Sequence, residues 1–157
     1  MLAWPVVAAA AARGAFFAGR PAFEPLLHAR FPESHYLPAA RTRRLALARA
    51  LRERRAGTAL LLTDSFSSAL VATLGGIPRR IGYAAEGRGF LLTTIVPRAG
   101  RARSAPRAAE YRVLAEAAGL DVAPGEPSLA AVPDERTAGR ARLADAGIAD
   151  APVAVLA

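Results

Sequence analysis

The sequence predicts an α/β fold, a parallel sheet flanked by helices. An apolar run at residues 58–63 is too short for a typical helix, and it indicates a strand buried on both faces of such a sheet. A helix is predicted to follow at once and to end near residue 74, and residues 81–83 then form a second short strand. Strand, helix and strand in this order make one βαβ unit with parallel strands.

The predicted helix after residue 63 has signals at both ends. Asp64, Ser65 and Ser67 can each accept a hydrogen bond from a free N–H group of the first turn. Gly76 can adopt the positive φ that ends a helix, and Pro78 cannot continue one. Because open α/β sheets bind ligands at the carboxyl ends of their strands, this polar turn is a candidate binding site as well as a helix cap.

The apolar run at residues 1–12 has three interpretations. It is shorter than the roughly 20 residues needed to cross a bilayer, and it lacks the basic segment that opens a secretory signal. We therefore favour an amphipathic helix at residues 5–13. The other elements predicted before residue 58 are a strand at 15–18, a helix at 22–29, a minimal strand at 36–37 and a helix at 42–55 with an apolar stripe of Leu45, Ala48, Ala50 and Leu51.

After residue 83 the pattern predicts a loop, two helices and a last strand. The loop at 84–89 contains glycines but no phosphate-binding fingerprint. The helices are predicted at 106–118 and 133–146, with a Pro-rich connector at about 121–132 between them. Residues 153–157 have the pattern of a buried strand, and one domain is the default for 157 residues.

Composition restricts the chemistry of the chain. It has no cysteine, which excludes disulfides and thiolate metal sites, and two histidines argue against a histidine metal site. The net charge is +8, and all 21 basic residues are Arg. Such a charge favours an anionic partner. The absence of Lys together with many Ala indicates a compositional bias, which weakens that argument.

Seven arginines lie within residues 41–55. They are consistent with a phosphate-binding surface, since guanidinium groups match phosphate oxygens bidentately. No aromatic residue is interleaved among them, which argues against a platform for single-stranded nucleic acid. A solvated helix face explains the same pattern equally well.

Three strings carry a family resemblance: DSFSSAL at 64–70, GIPRRIGY at 76–83 and GRGFLL at 87–92. In order and spacing they resemble the lipopolysaccharide heptosyltransferases, glycosyltransferase family 9, and look closest to the heptosyltransferase II branch. The family usually has Asn where this chain has Asp64. Weaker similarity extends over nearly the whole chain.

The resemblance implies a GT-B enzyme, in which two Rossmann-like domains face each other across a cleft. The N-terminal domain mainly holds the acceptor and the C-terminal domain the ADP-heptose donor. Residues 1–157 then correspond to a partial N-terminal acceptor domain. Its first strand, in the middle of the sheet, and the donor domain are expected to be missing.

The implied activity is transfer of heptose from ADP-heptose to the inner core of lipopolysaccharide, with inversion and without a metal or cofactor. The family's general base is a carboxylate expected upstream of Met1, so no catalytic residue is expected in this chain. The implied partner is a lipid-linked core acceptor. The implied location is the cytoplasm, with peripheral contact to the inner membrane, and no nucleic acid is expected.

The resemblance and the pattern together give seven candidate acceptor-binding residues: Ser65, Ser67, Ser68, Arg80, Arg88, Arg43 and Arg44. Asp64 is not favoured as a base, because the family has Asn there and the residue is well suited to capping. Two alternatives stay open. One is a non-catalytic, Arg-rich module that binds anions or nucleic acid, and the other is a degenerate, inactive homologue.

Overall fold

A computed structural model describes residues 3–39, 43–98, 107–122 and 133–145. The chain divides into two compact units, Met1–Pro127 and Ser128–Ala157. Most of the predicted connector and the strand predicted at 153–157 lie outside the described residues.

The described part of the first unit contains five helices and five strands. The helices are α1 (Trp4–Ala11), α2 (Glu24–Arg30), α3 (Arg44–Glu53), α4 (Phe66–Leu74) and α5 (Arg107–Ala117). The strands are β1 (Phe17–Gly19), β2 (Tyr36–Pro38), β3 (Thr58–Leu60), β4 (Arg79–Tyr83) and β5 (Thr94–Val96). Short 3-10 helices lie at Pro21–Phe23 and Arg88–Leu91, and the second unit contains α6 (Pro133–Asp145).

All described strands pair in parallel, as the sequence predicted. β1 pairs with β2, and β3, β4 and β5 form a second sheet in that order. Leu60 is paired with Ile81, and Ile81 with Thr94. The resemblance implies one further strand in the middle of the sheet. The described strands form two separate sheets. The further strand stays a prediction.

Helices cover both faces of the β3–β4–β5 sheet. Ala59 and Leu61 pack against the buried side chains of α3 and α4. Leu60 and Leu62 pack against buried residues of α1 and α5. This alternation follows from the two-residue period of a strand, and it produces the layered α/β arrangement that the βαβ pattern predicted.

The apolar stripe predicted for α3 is partly wrong. Ala48 and Leu51 are buried against α4, but Leu45 is 75% exposed. Leu45 lies in the first turn of α3. At the other contact, a Cβ on Gly75 would meet Leu51 Cβ at 3.1 Å, so the glycine allows α4 to end close to α3.

The predicted helices are all present within a few residues of their expected bounds. Gly76, with φ +71°, follows the last turn of α4 as expected. β3 is three residues shorter than its apolar run, although the Leu61 N–H still donates to the Ile81 carbonyl of β4 at 2.9 Å. β5 was not predicted, since three residues before Pro97 are too few to show a period.

Candidate functional site

The turn between β3 and α4 lies at the carboxyl end of β3, and Ser65 is the N-cap of the helix. Its backbone is extended, and its Oγ accepts the Ser67 N–H at 3.2 Å. Ser68 Oγ donates to the Ser65 carbonyl at 2.7 Å and accepts from Thr63 Oγ1 at 3.1 Å. Among the three cap candidates, the structure selects Ser65. The predicted serines thus form one hydrogen-bonded turn.

Arg88 is the one charged side chain that is fully buried among the described residues. Its Nε donates to the Tyr83 carbonyl at 2.9 Å. Its Nη1 donates to the Thr63 carbonyl, and at 3.2 Å to both the Ser65 carbonyl and Ser68 Oγ. One guanidinium therefore joins the 3-10 helix Arg88–Leu91, the end of β4 and the turn before α4.

The space for this guanidinium depends on Gly82. A Cβ at Gly82 would lie 3.2 Å from Arg88 Nη2 and 3.3 Å from Leu61 Cβ. Burial lowers the pKa of Arg88, and the Asp64 carboxylate opposes that effect. The guanidinium stays charged, because the pKa of Arg lies far above neutral pH.

Asp64 does not cap α4 but pairs with three arginines. Its Oδ2 accepts from Arg98 Nη2 at 2.5 Å and lies 3.5 Å from Arg107 Nη1. Its Oδ1 lies 3.7 Å from Arg88 Nη2. Glu110 joins two of the same arginines, at 3.5 Å from Arg98 Nε and 3.6 Å from Arg107 Nη1. We call these five residues the charged cluster.

The ring of Tyr83 packs against the guanidinium group of Arg98. The Arg98 guanidinium carbon lies 4.8 Å from the centre of the Tyr83 ring, and the Tyr83 hydroxyl donates to the Glu110 carbonyl at 2.7 Å. Burial, and then the negative charge of Glu110, raise the pKa of Tyr83. The hydrogen bond to Asp64 raises the pKa of Arg98.

The charged cluster lies where an α/β sheet binds ligands. Asp64 follows β3, Tyr83 ends β4 and Arg98 follows β5. Because the three strands are parallel, their carboxyl ends share one edge. Arg107 and Glu110 join them from the first turn of α5.

The structure brings together only some of the predicted site residues. Ser65 caps α4, Ser67 and Ser68 lie in its first turn, and Arg88 donates hydrogen bonds to Ser65 and Ser68. Arg80, in contrast, lies near the amino end of β4 and donates to the carbonyls of Leu91 at 2.6 Å and Ile77 at 2.5 Å. Arg43 and Arg44 are exposed at the beginning of α3.

The sequence interpretation missed Arg98 and Arg107 as members of this edge. Arg98 follows the overlooked strand β5, so its position at the carboxyl edge was not visible. The three-residue spacing of Arg107 and Glu110 allowed either an ion pair or a solvated Glu110, and the structure has the pair. Their shared contact with Asp64 depends on tertiary structure alone.

Several α3 arginines have structural contacts. Arg49 pairs with Glu53 at 3.0 Å, and Arg52 donates to the Leu74 carbonyl at the end of α4 at 2.8 Å. Arg54 donates to the Ala50 carbonyl at 3.2 Å. Arg49 and Arg54 thus bond to groups of their own helix, and Arg52 links α3 to the end of α4.

The described residues contain no group of three or more His, Asp or Glu side chains arranged to hold a metal ion. Within the same ranges, no helix has the length and apolar character required to cross a membrane.

Comparisons with known proteins agree with the motifs. Residues 44–157 match the model of glycosyltransferase family 9 (heptosyltransferase). The fold is similar to a solved structure of ADP-heptose LPS heptosyltransferase II from E. coli, with a TM-score of 0.69 and 27% identity over 90% of this chain. The chain spans 46% of that protein. No curated protein sequence matched. Since the family model covers most of the sequence, this chain belongs to glycosyltransferase family 9, the heptosyltransferases.

Proposed function

We propose that this chain is the acceptor-binding part of an enzyme that transfers heptose from ADP-heptose to the inner core of lipopolysaccharide. The observation that carries the proposal is the family match over residues 44–157, which includes the turn before α4 at the carboxyl edge of the sheet. The E. coli protein with the similar fold is named as an enzyme that uses ADP-heptose and LPS, and this chain spans about half of it.

In the proposed reaction an acceptor hydroxyl attacks the anomeric carbon of the donor with inversion, and ADP leaves. A carboxylate base takes the hydroxyl proton as the new bond forms, without a metal ion. We do not assign this base to any residue of the chain. Both carboxylate oxygens of Asp64 face guanidinium groups, which supports leaving Asp64 out of that role.

The proposed acceptor contacts come from two places. Ser67 and Ser68 are half-buried in the first turn of α4, where hydroxyl groups suit the hydroxyls of a sugar. Arg43 and Arg44 are exposed at the start of α3 and suit anionic groups of a lipid-linked core. Arg80 and Arg88 enter the proposal as residues that hold main-chain carbonyls in place, not as groups that touch the acceptor.

We also propose that the acceptor is met at the cytoplasmic face of the inner membrane. The net charge of +8 suits a surface of anionic lipid. No spanning helix is required for this contact, because cationic side chains alone draw a protein to such a surface.

Heptose transfer to a heptose-bearing core acceptor, followed by mass spectrometry, tests the proposal. We expect transfer by a longer protein that joins this chain to the family's base-bearing segment and donor domain, and none by residues 1–157 alone. In the longer protein, Arg43→Gln with Arg44→Gln should raise KM for the acceptor about tenfold and leave KM for ADP-heptose unchanged. Arg49→Gln, on the same helix, is the matched control.

Two results would count against this function. Absence of transfer by the longer protein would favour the degenerate homologue. Transfer by residues 1–157 alone would show that the chain contains its own base and donor site.

A further inference from the structure

Two arginines at the carboxyl edge of the sheet, Arg98 and Arg107, pair with the carboxylate of Asp64. Arg98 Nη2 and Arg107 Nη1 lie 2.5 Å and 3.5 Å from the same oxygen of Asp64. The arginine side chains are 41% and 56% exposed, and that of Asp64 is 25% exposed. The carboxylate therefore lies between two cations that solvent reaches from outside.

Three guanidinium groups, of Arg88, Arg98 and Arg107, lie beside the carboxylates of Asp64 and Glu110. Burial lowers the pKa of Arg88, and the negative charge of Glu86 also acts on this group and raises its pKa. Behind Asp64, the buried Arg88 Nη2 has no hydrogen-bond partner. A buried donor without an acceptor is costly, and this N–H group lies 3.7 Å from Asp64 Oδ1.

We propose that Arg98 and Arg107 form a binding site for a phosphomonoester, and that Asp64 is an internal competitor for this site. Guanidinium groups bind phosphate oxygens with two parallel hydrogen bonds. On binding, phosphate oxygens replace Asp64 Oδ2 on both arginines, and the Asp64 carboxylate keeps its contact with Arg88. The Tyr83 ring below Arg98 keeps that guanidinium at the edge of the sheet when the carboxylate leaves.

The ligand we assign is a phosphate carried by an acceptor sugar, and this assignment rests on the proposed function. A phosphate dianion near a carboxylate is repelled, whereas a neutral amide at the same place leaves Arg98 and Arg107 free to bind it.

Calorimetric titration of the 157-residue chain with glucose 6-phosphate at low ionic strength tests the site. We expect Asp64→Asn to bind about fivefold more tightly, since one like charge is removed within a few ångströms. Arg98→Gln should bind about tenfold more weakly, because a charge-assisted pair is lost. The matched controls are Asp121→Asn and Arg49→Gln, which make the same charge changes at exposed positions outside the cluster.

The directions in which affinity and stability change distinguish a competing role of Asp64 from a purely structural one. Asp64→Asn removes ion pairs and should unfold at a lower urea concentration while binding the phosphate more tightly. Equal affinity of Asp64→Asn and Asp121→Asn, or weaker binding by Asp64→Asn, would overturn the competitor. Tighter binding of ADP than of glucose 6-phosphate would overturn the assignment to an acceptor. The titration requires no heptose transfer, so the phosphate site and the proposed function can be refuted independently.

Discussion

The buried guanidinium of Arg88 donates to the main-chain carbonyl of Ser65 at 3.2 Å, across 23 residues of sequence. Through this bond the 3-10 helix after β4 fixes the residue that caps α4. The buried, charged side chain of Arg88 therefore stabilises the polar turn at the carboxyl edge of the sheet.

We expect Arg88→Gln to lower the free energy of unfolding by about 3 kcal/mol, because the carbonyls of Thr63, Ser65 and Tyr83 lose a charged donor. Arg88→Lys should not restore stability, since an ammonium cannot reproduce the guanidinium fork. Urea unfolding measures both changes. Arg49→Gln, which removes an exposed pair, is the control and should change stability by less than about 1 kcal/mol. Comparable losses at both positions would contradict a stabilising role for the Arg88 hydrogen bonds.

Loss of the N-cap at Ser65 should weaken α4. Ser65→Ala is expected to cost about 1 kcal/mol, because the Ser67 N–H loses its acceptor, and Ser65→Asn should retain most of the stability. Ser67→Ala leaves the acceptor in place and serves as the control. Thermal melts followed by circular dichroism compare the three variants. If Ser67→Ala were the more damaging change, the cap assignment would be wrong.

A methyl group at Gly82 should destabilise the fold, because it would crowd the buried Arg88 guanidinium. Gly82→Ala places a Cβ 3.2 Å from Arg88 Nη2 and 3.3 Å from Leu61 Cβ, and we expect a loss of about 1–3 kcal/mol. Gly57→Ala is the matched control, because no heavy atom lies within 4 Å of its Cβ position. Its stability should be unchanged or slightly higher. Urea midpoints distinguish the two, and equal midpoints would show that the pocket adapts freely.

Stability should fall as the pH rises above 10. Burial raises the pKa of Tyr83 and of Tyr36 above 10.0, so the unfolded chain loses these protons first. Since the unfolded state then binds fewer protons than the folded state, the free energy of unfolding decreases with pH in that window and is unaffected below it. Unfolding measured from pH 8 to 11.5 checks the slope. Tyr83→Phe and Tyr36→Phe should each make it shallower, and an unchanged slope in both variants would refute the assignment.

Much of the fold could be predicted from local signals. The apolar run at residues 58–63 and the cap and stop residues around α4 predicted a βαβ unit, which is present. β5 could not be predicted, because a three-residue strand is selected by pairing with β4 rather than by its own pattern. The exposure of Leu45 was also missed, since the helical period predicts which face of a helix carries a residue but not whether another element covers that face.

The candidate site divides in the same way. The sequence by itself determined the polar turn at 64–68 and, through its motifs, the family. Only the tertiary structure decided that Ser65 is the cap, that Arg88 is buried and that Asp64 pairs with Arg98 and Arg107. The physical reason is that a cap depends on neighbouring backbone, whereas an ion pair depends on which strand ends share an edge. Residues 34 and 43 positions apart meet there only because β3, β4 and β5 are parallel.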